Sequence, residues 1–99
     1  MITSKQILAA VLSGRMNIKS VVYQGLVESD HRFRQEAIYS LRAIAKILGV
    51  SRNAVRLRAF SDGWPFQVVE DRGNPRKPRF IDGAFLAALQ AELRKAQSA

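Results

Sequence analysis

Arg52, Asn53 and Arg56 occupy positions i, i+1 and i+4 of the stretch RNAVRLRAF, a spacing that gathers them on one side of a helix. From there a guanidinium can donate two parallel hydrogen bonds to guanine, and a carboxamide can pair with adenine. A second group, Arg72, Asn74, Arg76, Lys77 and Arg79, lies in RGNPRKPR, where glycine, asparagine and two prolines describe a turn decorated with positive charge. Cations on a turn suit phosphate oxygens or a narrow minor groove. Arg42, with Lys46 one turn on, fits a phosphate where a preceding helix crosses the backbone of a duplex, and Ser51 joins the set at the start of the RNAVRLRAF helix. Leu57 and Phe60 share part of the same side. They either touch thymine methyl groups or pack against the N-terminal helices, and packing is the expectation for apolar residues. Arg58 is expected to brace the fold by hydrogen bonds, and Trp64 to fill the joint between this helix and the wing beyond it.

These groups need elements to position them. In SLRAIAKILGVSRNAVRLRAFSDGW, residues 40–64, Ser40 and Ser51 each sit where a side-chain oxygen can cap a helix. Gly49 supplies the left-handed residue for the turn between the two helices, with Val50 tucked into their angle. Leu41, Ile44, Ala45 and Leu48 bury one face of the first helix, and Val55 and Ala59 point inward from the second. Gly63, Trp64 and Pro65 stop the second helix, after which FQVVED reads as a strand, RGNPRKP as a turn and RFI as a return strand. AIY, just before Ser40, suits a very short third strand. Upstream, Thr3 and Gln6 form a capping-box start for a helix to about Ser13, and Asn17 opens a second helix carrying Ile18, Val21, Val22 and Leu26. Downstream, Asp82 can cap a helix from about Gly83 to Lys95, with Phe85, Leu86, Leu89 and Leu93 on one stripe and Arg94 and Lys95 near its C-terminal dipole. The expected fold is mainly α with a small β-hairpin: a winged helix-turn-helix with an N-terminal helical extension and a C-terminal helix. One domain of 99 residues accommodates it, divided into 1–36, 37–82 and 83–96.

Sixteen Lys and Arg against eight Asp and Glu leave a formal charge of +8. Between residues 40 and 80 nine basic residues face three acidic ones, so most of the excess lies in two fifths of the chain. A polyanion is the partner this charge favours. No cysteine is present, which excludes disulfides, thiolate metal sites and cysteine nucleophiles, and the single histidine, His31, rules out a histidine-rich metal cluster. His31 lies in a polar stretch without a nucleophile pattern, and Glu70 and Asp71, adjacent on a strand, point to opposite faces. No phosphate loop, nucleophile elbow or metal spacing occurs. The expectation is a protein without catalytic residues, metal or cofactor and with no small-molecule substrate. MITSKQILAAVLSGR has only six consecutive apolar residues and no basic region before them, so a signal peptide and a membrane span are not expected, and a cytoplasmic location is.

The stretch AVRLRAFSDGWPF, preceded by IAKILGVSRN and followed by a basic, glycine-containing wing, resembles the Mu-type helix-turn-helix of the transposases and repressors of phage Mu and its relatives. Val55, Arg58, Ala59, Gly63 and Trp64 match that family's run of Val, two variable residues, Arg-Ala, three variable residues and Gly-Trp. The likeness covers residues 38–86. Its wing departs from the Gly-Gly-Lys-rich family pattern, so the contacts of the tip are not carried over. The resemblance implies double-stranded DNA binding, with one helix in the major groove and the wing along an adjacent groove. The catalytic domain of a transposase is not implied. A sequence-specific phage or bacterial transcriptional regulator, or a DNA-end-binding module of transposition, is the first expectation. The alternatives are the DNA-recognition subunit of a phage packaging terminase and, in another class, a non-catalytic protein-interaction module docking through its N-terminal helices or the Leu86, Leu89, Leu93 stripe. Homodimerisation through the N-terminal or C-terminal helices is compatible with either.

Overall fold

The computed structural model of the chain describes residues 5–7, 9, 20–68 and 79–98. Its elements are α1 (Val21–Glu28), β1 (Ile38–Ser40), α2 (Leu41–Leu48), α3 (Arg52–Asp62), β2 (Gln67–Val68), β3 (Arg79–Asp82) and α4 (Gly83–Ser98). The protein is mainly helical with a small antiparallel sheet. Residues 5–7 and 9 are helical too, and Ile7 joins the core. The rest of the expected Thr3 to Ser13 helix and the Asn17 cap lie outside the described residues, as does the segment 69–78 with Arg72, Asn74, Arg76 and Lys77.

Local chemistry sets the helix ends. Ser20, Ser40 and Ser51 cap α1, α2 and α3, their hydroxyl oxygens accepting from the backbone N–H of Tyr23, Ala43 and Ala54. Gly49 and Gly63 follow α2 and α3 at φ values of 68° and 71°, a backbone region costly for any residue with a Cβ. Beyond each glycine the next N–H turns back into the helix: Val50 donates to the Ala45 carbonyl at 3.0 Å and Trp64 to the Ala59 carbonyl at 2.9 Å. The two helices therefore end by the same device.

Strand β3 lies in the middle of the sheet, pairing Ile81 with Tyr39 of β1 on one side and Phe80 with Gln67 of β2 on the other. Ile81 points into the core and is fully buried. Asp82, expected as the cap of α4, holds Gln67 of β2 through its Oδ1. The chain then passes at once into α4, and here Gly83 is required by space. A Cβ at Gly83 would lie 1.8 Å from the Arg34 carbonyl oxygen. At Gly25 a Cβ would meet Leu48 at 3.2 Å, so this glycine sits where α1 packs tightly on the end of α2.

Val22, Tyr23 and Leu26 of α1, Leu41, Ile44 and Ala45 of α2, Val55 and Ala59 of α3, and Leu86, Leu89 and Leu93 of α4 form one core with Phe33, Trp64 and Ile81. The Leu86, Leu89, Leu93 stripe is fully buried, which corrects the alternative that left it as a docking surface. Its position follows from two polar ties between α4 and the end of α1. Gln90, itself buried, donates through Nε2 to the Leu26 carbonyl at 2.8 Å, and Arg94 donates to the carbonyls of Val27 at 3.1 Å and Ser29 at 2.6 Å. Carbonyls left over at a helix end thus find partners on a different helix. Arg94 was expected to serve the dipole of its own helix, and it closes α1 instead.

Among the described residues, no helix is long and apolar enough to cross a membrane.

Candidate nucleic-acid interface

Helix α3 has two faces with different chemistry. Val55 and Ala59 are fully buried on its inner side, and Asp62, its only acidic residue, is 4 % exposed. Burying a carboxylate is costly unless partners satisfy it. Two are present: the Tyr23 hydroxyl donates to Oδ2, and the Arg58 guanidinium lies 3.5 Å from Oδ1. The Tyr23 oxygen in turn accepts from the Trp64 indole N–H at 3.3 Å. Burial, and then the hydrogen bond to Asp62, push the phenol well above its ordinary pKa. Arg58 braces the fold and Trp64 fills the joint beyond α3, both as expected from the sequence. The buried role of Asp62 was not anticipated.

The outer side carries Arg52, Asn53, Arg56, Leu57 and Phe60, all exposed. At 3.6 residues per turn, Asn53, Arg56, Leu57 and Phe60 fall within about a third of the helix circumference, with Arg52 at its margin. Leu57 is 54 % exposed and Phe60 46 %. The expected packing of these two against the N-terminal helices is therefore not what the structure has. The interior side of α3 is already filled by Val55, Ala59 and Asp62, and the helical period leaves positions 57 and 60 facing away from it.

Phe60 finds its partners at the sheet. Its ring lies against Phe66 with centroids 5.0 Å apart, and the Arg79 guanidinium of β3 sits 5.0 Å above Phe60 and 5.8 Å from Phe66. Arg56, one turn before Phe60, places its guanidinium 5.7 Å from the same ring. Cation–π attraction of this kind is worth about 0.5–1 kcal/mol at an exposed site. Its larger effect is geometric: it holds two guanidiniums, one from a helix and one from a strand, on the same aromatic platform. In the sequence Arg56 and Arg79 fall into separate groups, one on a helix and one in the expected wing. The signal that could have joined them is the pair of phenylalanines flanking the helix stop.

The remaining predicted residues are simpler to place. Arg42 and Lys46 are exposed one turn apart on α2. Ser51 is exposed and spends its hydroxyl oxygen on the α3 cap. Among the described residues, no group of three His, Asp or Glu side chains is placed to hold a metal ion. His31 packs edge-on against Phe33 and Tyr39, at 5.0 and 6.1 Å between centroids. The arrangement on α3 can therefore present cations, an amide and apolar surface together to a flat or grooved partner. The chain has no significant match to a family model, a curated protein or a solved structure.

Proposed function

We propose that this protein is a winged helix-turn-helix module that binds specific double-stranded DNA, with α2 and α3 as the paired helices and α3 in the major groove. The β2–β3 hairpin is the wing, running beside an adjacent groove or phosphate strand. One observation carries this reading: Arg56 of the helix and Arg79 of the sheet share one exposed aromatic platform, so a single duplex can meet both. The absence of any exposed carboxylate on α3 and the concentration of charge between residues 40 and 80 support it. In this reading Arg52, Asn53 and Arg56 contact base edges, while Arg42, Arg79 and, from the basic RGNPRKP segment, Arg72, Asn74, Arg76 and Lys77 contact phosphates. The likeness to Mu-type domains favours a phage or bacterial regulator, or a module that binds transposon ends, and no chemical step is assigned to it.

Selection of duplexes from a random pool, followed by footprinting and a salt titration of the winner, tests the proposal. A single enriched sequence is expected. With about five phosphate contacts its affinity falls roughly 300- to 1,000-fold between 50 and 200 mM salt. A pool that yields no consensus, or a complex indifferent to salt, contradicts it.

A further inference from the structure

Two large apolar side chains stand in the open on the outer face of α3, among cations and an amide. Leu57 and Phe60 are one turn apart on α3, each about half exposed; around the helix Phe60 falls between Arg56 and Asn53, and Leu57 lies just beyond Asn53. A single exposed apolar residue is ordinary; two side by side within a face of cations and an amide form a small patch that a partner can cover. Their setting limits what can cover them. Arg56 and Arg79 flank Phe60 at 5.7 and 5.0 Å, and the one carboxylate of the helix is turned inward, so the partner must be negatively charged around an apolar spot. In the major groove that spot is the 5-methyl group of thymine, which projects among base edges and phosphates and is matched by an aliphatic side chain or an aromatic edge.

We infer that Leu57, with the exposed part of Phe60, is a thymine-methyl reader, so the preferred site places a thymine next to the base pair contacted by Arg56. This rests on the DNA-binding reading above and adds a specificity that charge cannot supply. Phe60 has a double part: its ring carries the two guanidiniums, and its exposed surface adds to the apolar surface of Leu57.

The test changes the DNA and leaves the protein fold untouched. In the selected duplex each thymine is replaced in turn by deoxyuridine, which removes the methyl and keeps every hydrogen-bonding group. At one or two positions beside the pair whose contact is lost in Arg56→Ala, affinity is expected to fall about three- to fivefold, the effect of one buried methyl group. In Leu57→Ala the thymine and uracil duplexes should bind alike. Leu57 is exposed, so that variant should unfold at the wild-type temperature, which a melting curve checks. Uracil tolerated at every position, with tight and salt-sensitive binding otherwise intact, overturns this inference alone and leaves the apolar pair to a protein partner. A uracil penalty that persists unchanged in Leu57→Ala and in Phe60→Ala overturns it as well, because another residue then reads the methyl. Failure of every duplex to bind at low salt removes the DNA-binding reading, and this inference with it.

Discussion

Two joints hold α3, one behind it and one in front. Behind, Tyr23, Asp62 and Trp64 form a buried polar cluster with Arg58 at its partly exposed edge, and among the described residues no buried side-chain nitrogen or oxygen lacks a hydrogen-bond partner. In front, exposed Phe60 and partly buried Phe66 carry Arg56 and Arg79 in a stack of aromatic rings and cations at the surface. The buried joint uses directional bonds in a setting where an unmade bond is expensive, so it fixes the angle at which α3 leaves the core. The exposed joint uses weak, sliding contacts that water can replace, so it adds little to stability. It determines what a partner meets. Rigidity and display are thus assigned to opposite sides of the same eleven-residue helix.

That division predicts opposite outcomes for substitutions on the two sides. The largest effect is expected for Asp62→Ala, which strands the Tyr23 hydroxyl in the core and releases Arg58. It should lose about 3 kcal/mol or more of stability in urea unfolding, in line with breaking a buried ionic cluster. A loss near that of an ordinary surface change, about 0.5 kcal/mol, would mean the buried joint does not hold the helix. A smaller loss, about 1–2 kcal/mol, is expected for Tyr23→Phe, which keeps the ring and removes one hydroxyl from the cluster. The same variant sharpens the comparison through pH. Because the folded phenol titrates above the unfolded value of 10.0, its contribution is complete below that pH and is lost as pH rises toward the folded value. Stability of the wild type should therefore fall more steeply above about pH 10 than that of Tyr23→Phe. Parallel alkaline limbs would show that burial of Tyr23 is not coupled to its ionisation.

The same contrast explains what could be read from the sequence. Ser40, Gly49, Ser51 and Gly63 act on backbone groups within a few residues of themselves, so their roles follow from position alone, and the two helices between them are where spacing put them. Burial of Leu41, Ile44, Val55 and Ala59 followed from periodicity for the same reason. Asp62 did not, because the hydroxyl that it accepts from, on Tyr23, lies 39 residues away in the chain, and an aspartate before a helix-ending glycine looks like a solvated one. The role of Gln90, and the change in that of Arg94 from its own helix end to the end of α1, are hidden for a similar reason, since both satisfy carbonyls more than sixty residues away. Leu57 and Phe60 were misjudged by the general tendency of apolar residues to be interior. At the candidate site, exposure of Arg52, Asn53 and Arg56 was legible from helical geometry, whereas the meeting of Arg56 with Arg79 depends on how β3 returns beside α3.

The claim that the outer face of α3 reads a duplex is tested most directly by one ratio: the affinity for the selected DNA over that for a scrambled duplex, measured in wild type and in Arg56→Ala at equal salt. The substitution is expected to lower this ratio by roughly 5- to 150-fold, the discrimination carried by one bidentate base contact, while melting temperature and scrambled-duplex binding change little. An unchanged ratio in a folded Arg56→Ala protein would contradict it.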